Sequence, residues 1–411
     1  HQINCMLLLP LRRWHRLTPM KKILIVGGGI GGMTAAACLL RAGFEVQVFE
    51  QASELGEVGA GIQLSANPMR VLDHLGLVDR LAALGVRPTA YQFKMFDTGE
   101  VLQEIPLGDG YVERHGVPYL SVHRADLLDS LIGAVRALDG AAVRLNAKVV
   151  DYREDGEGVS LQLADGSEVR GDVLIGADGI KSLVRAKILG ETPVHYTGDQ
   201  SWRILVPAER LAPEMRPDTV NICVGPGKHG VVYPIRPNGL INMVGCVEYE
   251  TWDDESWTAR RPWQEMKADF AGWHENIQAI IDHADKDQCY RWAMNNRSPV
   301  DNWRTARTTL LGDAAHPTLP YMAQGGGMAI EDGAVIARAL QQEDDVGEAL
   351  ELYQRNRLER TARIVNESSA NRNMFHLPSE AALREAFAQR DMNAERTAWL
   401  FSYDPITVEL R

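Results

Sequence analysis

An α/β protein is predicted: a Rossmann-like first part, an inserted, mainly antiparallel β-sheet, and C-terminal helices. Three observations predict it. Residues 21–50, KKILIVGGGIGGMTAAACLLRAGFEVQVFE, read as strand, glycine turn, helix and strand in succession, which is how a parallel βαβ unit opens. Between residues 196 and 248 the chain changes to short strand-like runs separated by turns such as Gly225-Pro226-Gly227 and Pro237-Asn238-Gly239, as an antiparallel sheet requires. From Gly327 the pattern is helical, first over 327–340 and then over a long charged stretch at 347–370.

In the first unit, the apolar run 23–26 is continuous enough to be a strand buried on both faces of a parallel sheet. Gly27, Gly29 and Gly32 fit G-x-G-x-x-G. The first glycine permits a tight turn, the second lets backbone approach a pyrophosphate, and the third lets helix pack on strand. An alanine-rich helix over 33–40 ends at Gly43, residues 44–49 form a second strand, and Glu50 closes it eighteen residues after Gly32. An acid there is placed for a ribose hydroxyl pair, and the helix N-terminus offers N–H groups to phosphates. This unit is therefore a dinucleotide site, for NAD or FAD alike.

A glycine-dense loop follows at 56–63, then a helix over 67–75 with Pro68 in its first turn. Residues 91–105 form two strands around Asp97-Thr98-Gly99-Glu100, and the segment 122–128 opens a helix running to about Leu138. Arg124, at its start, is placed for a phosphate or ribose, or for a surface ion pair. Strands are expected at 143–150, 158–163 and 168–175, with Asp165-Gly166 as a hairpin turn. The last of them ends in Gly176-Ala177-Asp178-Gly179, a second place where backbone can approach a cofactor, with a helix from Ile180 or Lys181. In the inserted sheet, strands are expected at 202–207, 220–224, 230–235, 241–247 and 290–294, with a polar helical stretch at 252–285. A strand at 308–311 runs into Gly312-Asp313-Ala314-Ala315-His316-Pro317, and Gln324-Gly325-Gly326-Gly327 opens the next helix. Two triple-glycine runs far apart in the chain suggest two helix N-termini facing one ligand. Residues 379–411 read as further helices with an aromatic end at Trp399, Phe401 and Tyr403.

Composition excludes several classes. The chain has 411 residues, 45% hydrophobic and 24% charged, an ordinary globular balance that suggests two or three domains. A net charge of -12 without a basic stripe argues against nucleic acid. Cys5, Cys38, Cys223, Cys246 and Cys289 are odd in number and form no C-x-x-C, so neither a disulfide framework nor a zinc site is supported, and a reducing cytoplasm fits. No metal-ligand spacing is present. Residues 1–19 carry a short apolar run followed by Arg12, Arg13 and Arg16, the wrong order and length for a signal peptide or span. They are read as an upstream extension or expression remnant, with an amphipathic targeting segment as the alternative. No run of 18 apolar residues occurs elsewhere, so no membrane role is expected.

Three motifs thus stand in one order: Gly27, Gly29 and Gly32 with Glu50; Gly176-Ala177-Asp178-Gly179; and Gly312-Asp313 with Ala314-Ala315-His316-Pro317. Together they resemble the FAD-dependent single-component aromatic hydroxylases, the p-hydroxybenzoate hydroxylase fold, over about residues 20–370. Within that family the chain is most similar to salicylate hydroxylases, 3-hydroxybenzoate 6-hydroxylase and 6-hydroxynicotinate 3-monooxygenase. The loop through Gln63, the His123-Arg124 pair and the segment 328–332 carry that closer likeness. The resemblance implies an FAD-binding domain made of 20–90, 106–195 and 305–375, a substrate-binding sheet domain made of 91–105 and 196–304, and a C-terminal helical tail at 376–411. It implies that the first glycine turn holds the FAD pyrophosphate and Glu50 the adenosine ribose. Gln63 and Arg124 would also contact FAD, Asp178 would lie near the dinucleotide, and Asp313 would bind the ribityl chain. Pro317, Gly325 and Gly326 would sit by the isoalloxazine, where a helix N-terminus stabilises negative charge.

The same resemblance implies the chemistry. NADH or NADPH, with NADH favoured, reduces the flavin from a shared cleft, consistent with the lack of a second complete G-x-G-x-x-G. O2 then gives a C4a-hydroperoxyflavin that attacks an electron-rich ring carbon, in aromatic catabolism, with or without loss of a ring substituent. A hydroxyl ortho or para to that carbon must lose its proton, so a base is needed beside it. His229 and Tyr233, four residues apart on one strand and just before Pro234, point to the same face. By resemblance His229 is the base and Tyr233 a hydrogen-bonding or relay partner. Arg203 is a candidate for a substrate carboxylate or a nicotinamide diphosphate, or for pairing with a core acid, and Tyr321 for substrate orientation. His316 is expected to organise its loop, whereas His195, His274, His283 and His376 lie in polar sequence and are expected at the surface. The partner expected is a small aromatic acid, the assembly a monomer or homodimer. The rival classes are a flavin reductase or dehydrogenase of the same fold without oxygen insertion, and a cofactor-binding protein without turnover.

Overall fold

The structure, a computed structural model, describes residues 20–56, 60–251 and 260–411. The extension at 1–19, part of the glycine-dense loop at 57–59 and the start of the polar stretch at 252–259 lie outside them. A parallel sheet of five strands has the order Thr308–Leu310, Val173–Gly176, Lys22–Val26, Glu45–Phe49, Val143–Arg144. The glycine-turn strand lies at its centre, and Ile23, Leu24 and Ile25 are fully buried, as a central parallel strand demands. The helix after the turn, Ile30–Arg41, begins three residues earlier than its alanines suggest and stops just before Gly43, which is left-handed with φ 92°. Ala35, Ala36 and Ala37 are buried, and their small side chains allow a close approach to the helix Gly325–Gln342. A Cβ on Gly333 of that helix would stand 2.8 Å from the Ala35 nitrogen.

The inserted part is one sheet of seven strands, ordered Tyr290–Asn296, His195–Pro207, Leu240–Glu248, Lys228–Arg236, Val220–Gly225, Ala90–Met95, Val101–Pro106. Every neighbouring pair is antiparallel except Val220–Gly225 with Ala90–Met95. The hairpin around Asp97-Thr98-Gly99-Glu100 therefore joins the later strands as its edge. One face of this sheet packs on the helices Trp263–Asp269 and Glu275–Asp282 through Trp202, Met243, Phe270, Ile277 and Ile281. The opposite face is turned to the parallel-sheet part, and Arg236 binds Asp126 of the helix Arg124–Leu138 through two hydrogen bonds of 3.0 Å.

Four expectations change. The stretch 143–150 is two strands, because Asn146 adopts φ 51° and turns the chain. Val143–Arg144 edges the parallel sheet, while Val149–Glu154 joins Val159–Leu163 and Glu168–Gly171 in a separate antiparallel sheet of three strands. The stretch 168–175 likewise divides at Asp172, whose carboxylate accepts from the Lys22 amide at 2.7 Å and hands the chain from one sheet to the other. Val122 and His123 are not helical: they end the strand Leu120–His123, paired with Gly61–Leu64, and the His123 ring accepts from the Ala125 amide at 3.1 Å as a helix cap. The helix after Gly179 starts only at Leu183, because Asp178 and Ser182 take its first N–H groups.

The long helix spans Val346–Phe375 and lies along Gly325–Gln342. Its Arg357 is wholly buried between Glu331 at 3.2 Å and Asp332 at 2.6 Å. The tail helices Glu380–Gln389 and Met392–Glu395 follow, and the aromatic end closes over arginines, with Arg360 3.9 Å from the Tyr403 ring and Arg363 3.7 Å from that of Trp399. Among the described residues no helix is long and apolar enough to cross a membrane. Cys38, Cys223, Cys246 and Cys289 are buried free thiols.

Candidate active site

A cavity of about 430 Å³ runs between the parallel-sheet part and the inner face of the seven-stranded sheet. Two helix N-termini reach its wall, Gly29 capping Ile30–Arg41 and Gly325 and Gly326 opening the eighteen-residue helix Gly325–Gln342. The glycines of the first turn divide in their physical roles. A Cβ on Gly27, where φ is 108°, would come 2.2 Å from the Ala177 carbonyl, and one on Gly32 would come 2.0 Å from the Gly27 carbonyl. Those two glycines hold backbone against backbone and do not line the cavity. Gly29 lines it, and a Cβ there would have nothing within 4 Å, so its open side is space for a ligand. Glu50 sits beneath the turn, its carboxylate accepting from the Gly28 amide at 2.8 Å and the Ala52 amide at 2.9 Å.

Most of the expected cofactor residues meet in this cavity. Gln63, Arg124, Asp313, Pro317, Gly325 and Gly326 all line it, as does Gly179 from the second motif. Asp178 does not. Its carboxylate accepts from Ser182 Oγ and from the Leu183 amide at 2.9 Å, and it is largely buried, which raises its pKa above the ordinary carboxylate range. Capping the helix Leu183–Leu189 is what that acid does here, and its neighbours Ala177, Gly179 and Ile180 supply the wall. His316 is buried behind the wall, its Nε2 2.5 Å from Asp332, whose second oxygen accepts from Arg357. That network also receives the Gly312 amide at 3.0 Å, so it holds the Gly312–Pro317 loop in place, as expected of His316.

The far end of the cavity is made by the sheet. His229, Val231 and Tyr233 alternate along Lys228–Arg236 and all line the space, confirming that the pair shares one face. Tyr233 is 4% exposed, and burial pushes its hydroxyl up to about 12, with Arg203 and Arg124 opposing that rise. It is a neutral donor at ordinary pH. Arg203 lines the same space with its guanidinium 4.6 Å from the centre of the Trp292 ring. Tyr321 also lines it, but its hydroxyl donates to Asp199. What Tyr321 offers is its ring, packed edge-on against His229 with centroids 4.9 Å apart.

His229 is 1% exposed, and burial holds its pKa well below the ordinary imidazole value, helped by His376 and Arg372. Its Nδ1 lies 2.7 Å from His376 Nε2. His376, expected at the surface, is instead buried, because the helix Val346–Phe375 delivers its last turn against the sheet. His376 Nδ1 in turn lies 3.0 Å from Glu248 Oε1. Ser201, Cys246, Trp292 and Phe375 complete this end. Sequence reasoning missed them and His376, and no local signal marked them: each is an ordinary strand or helix-end residue whose place depends on packing between segments far apart in the chain. Of the remaining histidines, His195 and His283 are exposed, and His274 caps the helix Glu275–Asp282.

The residues fit FAD. Gly29 leaves room for a pyrophosphate at a helix N-terminus, and a second helix N-terminus, at Gly325 and Gly326, opens on the same space and offers stabilisation to negative charge. Comparison with known proteins agrees. Residues 20–368 match the family described as FAD binding domain. The chain is similar to a 3-amino-4-hydroxybenzoate 2-monooxygenase of Streptomyces platensis, 38% identical over 97% of this chain and 100% of the relative. It is similar to a 3-hydroxybenzoate 6-hydroxylase of Polaromonas naphthalenivorans, 36% identical over 86% of this chain and 88% of the relative. Among solved structures it is similar to Klebsiella pneumoniae HpxO complexed with FAD and uric acid, with TM-score 0.80 and 27% identity over 93% of this chain and 96% of that one.

Proposed function

The chain belongs to the FAD binding domain family and is an FAD-dependent aromatic-ring monooxygenase, and from that premise we propose that it hydroxylates a small aromatic acid already bearing a ring hydroxyl, of hydroxybenzoate or hydroxypyridine type. NADH or NADPH is the electron donor and O2 the oxygen source. The observation that carries the substrate class is the pairing, on one cavity wall, of an uncharged buried His229 with a protonated Tyr233. A phenolic hydroxyl needs that pair: an imidazole lone pair to take its proton and a neutral donor to hold the resulting oxyanion.

FAD, when bound, supplies the electron-carrying and oxygen-activating chemistry. The Gly29 turn receives its pyrophosphate, with Glu50 at the ribose end and Gln63, Arg124 and Asp313 along the length. The N-terminus at Gly325 and Gly326 stabilises negative charge brought against it. His229 removes the substrate hydroxyl proton, which enriches the ring in electrons and directs attack ortho or para to that oxygen. Tyr233 donates to the same oxygen and orients the ring. Arg203, already stacked on Trp292, pairs with the substrate carboxylate, and Tyr321 walls the ring from the side. The buried apolar lining, including Ile222 and Phe375, keeps water from the reacting edge.

The test is direct. Purified protein is titrated with 3-amino-4-hydroxybenzoate, 3-hydroxybenzoate and hydroxypyridine carboxylic acids, with NADH and with NADPH in parallel, while loss of the reduced nicotinamide, oxygen uptake and product mass are followed. Stoichiometric NADH and oxygen consumption with a product heavier by one oxygen is expected from at least one acid. Displacement of a ring substituent would appear in the same mass. Loss of NADH or NADPH without oxygen uptake, or no stimulation of either by any of the acids, would sink the reading.

A further inference from the structure

Three side chains continue from the cavity to the surface, and their hydrogen bonds have a direction. Glu248 is a carboxylate with 43% of its side chain exposed. A carboxylate only accepts, so its 3.0 Å contact with His376 Nδ1 places a proton on that nitrogen. His376 Nε2 is then the lone-pair nitrogen, and the 2.7 Å contact with His229 Nδ1 requires His229 to donate from there. The other ring nitrogen of His229, Nε2, is left unprotonated on a residue that lines the cavity. The tautomer of His229 is thus set by a carboxylate two residues away along the chain of contacts.

We propose that His229, His376 and Glu248 form a proton relay that both arms His229 as a base and carries the substrate proton out of the closed cavity to solvent. The proposal rests on His229 being the base. The proton balance is simple. One proton leaves the substrate oxygen and binds His229 Nε2; one leaves His229 Nδ1 for His376 Nε2; one leaves His376 Nδ1 for Glu248, which releases it to water. No ring carries a net charge at the end. Reverse transfer, when the product oxygen is reprotonated, resets both tautomers.

The surroundings explain why an exit is needed. Beside the rings stand Arg372 from the long helix, Asp199 from the strand His195–Pro207, and Tyr321, with Cys246 behind. Asp199 is matched by Arg372 at 2.7 and 2.8 Å and by the Tyr321 hydroxyl, so it is not available to balance a cation on His229. Burial, His376 and Arg372 all disfavour an imidazolium there, and His376 is lowered by burial in spite of Asp199 and Glu248. A proton accepted by His229 has nowhere to rest and must pass on. His376 and Glu248 are positioning and transfer residues and do not touch the substrate.

The experiment uses the FAD-loaded enzyme with 3-amino-4-hydroxybenzoate and 3-hydroxybenzoate as probes. In ¹⁵N-histidine NMR, His229 is expected to be protonated at Nδ1 and bare at Nε2, and Glu248→Gln to release that preference. In single turnovers, His376→Gln should keep FAD and its rate of reduction by NADH. Hydroxylation should slow by about tenfold or more, less than the 10²- to 10⁴-fold of a group that takes the proton directly, with a changed solvent isotope effect and partial rescue by added imidazole. Glu248→Asp should recover more of the rate than Glu248→Gln. A His229 found protonated on Nε2 overturns the proposal. So does His376→Gln turning over at the parent rate with an unchanged isotope effect while His229→Ala is inactive, in which case the base assignment stands. A fully active His229→Ala removes the base assignment and the relay with it.

Discussion

At the residue scale, the decisive feature is that His229 is buried among groups that keep it uncharged. A base at that position works by passing its proton on, and His229→Ala is expected to lower hydroxylation by about 10²- to 10⁴-fold, the usual contribution of a positioned base. FAD content, read from the flavin absorbance, should not change. Tyr233→Phe removes a donor whose hydroxyl stays protonated up to about 12; it should uncouple NADH oxidation from product formation, measured as hydrogen peroxide released per product. The histidine pair also makes a pH prediction. Both rings are harder to protonate when folded than the ordinary value of 6.5. Below that value the unfolded chain therefore binds more protons than the folded one, and stability is lost as pH falls. His74, His115 and His123 are lowered too and act with the same sign. The thermal midpoint should fall between about pH 7 and pH 5, and His229→Gln with His376→Gln should make that fall shallower. An unchanged slope in the double variant would show that the pair is not what titrates.

At the element scale, the glycine turn separates two requirements that one motif combines. Gly32 is needed by the fold, since a Cβ would press to 2.0 Å on the Gly27 carbonyl. Gly32→Ala should destabilise even the FAD-free protein, by roughly 1–3 kcal/mol as overpacking does. Gly29 has nothing within 4 Å, so Gly29→Ala should leave the FAD-free melting midpoint where it is and weaken FAD binding instead. Fluorescence titration of flavin and thermal melts of both variants test the contrast; equal effects on folding would contradict it. The expected turn, helix and second strand were all legible here because each depends on residues close in sequence: continuous apolar runs, a run of alanines, and glycines such as Gly27 and Gly43 whose positive φ other residues do not adopt cheaply. The divided strands at 143–150 and 168–175 were not legible. Asn146 and Asp172 are single polar residues of a kind that strands also carry on a solvent face, and only pairing with a different sheet shows that each ends a strand.

At the scale of the whole molecule, helices distant in sequence from the first unit are bound to it through buried charge. Arg357 joins Glu331 and Asp332, Arg360 adds a second cation to Glu331 at 2.8 Å, and Asn67 reaches Glu331 at 3.1 Å from the first third of the chain. Burial alone would raise both acids, but Arg360 and Arg357 hold Glu331, and His316 and Arg357 hold Asp332, below the ordinary carboxylate range. Removing one partner leaves a carboxylate unmatched in the interior, so Arg357→Met should cost about 3–5 kcal/mol, read as a lower urea midpoint. Since the same network carries the Gly312 amide, the variant should also lose FAD. The cavity itself belongs to this scale. Its walls come from the first turn, the 176–179 loop, the sheet and the helix start at Gly325, and no segment forms it alone.

The sequence by itself determined the fold class, a dinucleotide site and the order of the motifs, because glycine turns, strand periodicity and helix starts are written in neighbouring residues; the resemblance carried by that order is what pointed to FAD. It also placed His229 and Tyr233 on one face, since strand alternation is a local rule. Tertiary structure decided what surrounds them. It buried His376, which polar neighbours had suggested was exposed, by bringing the end of a thirty-residue helix against the sheet. It turned Asp178 into a helix cap and engaged the Tyr321 hydroxyl with Asp199. The physical reason is the same in each case. A side chain's protonation and partners depend on desolvation and on charges from other segments, and those are set only when residues 147 positions apart, such as His229 and His376, come within a hydrogen bond of each other.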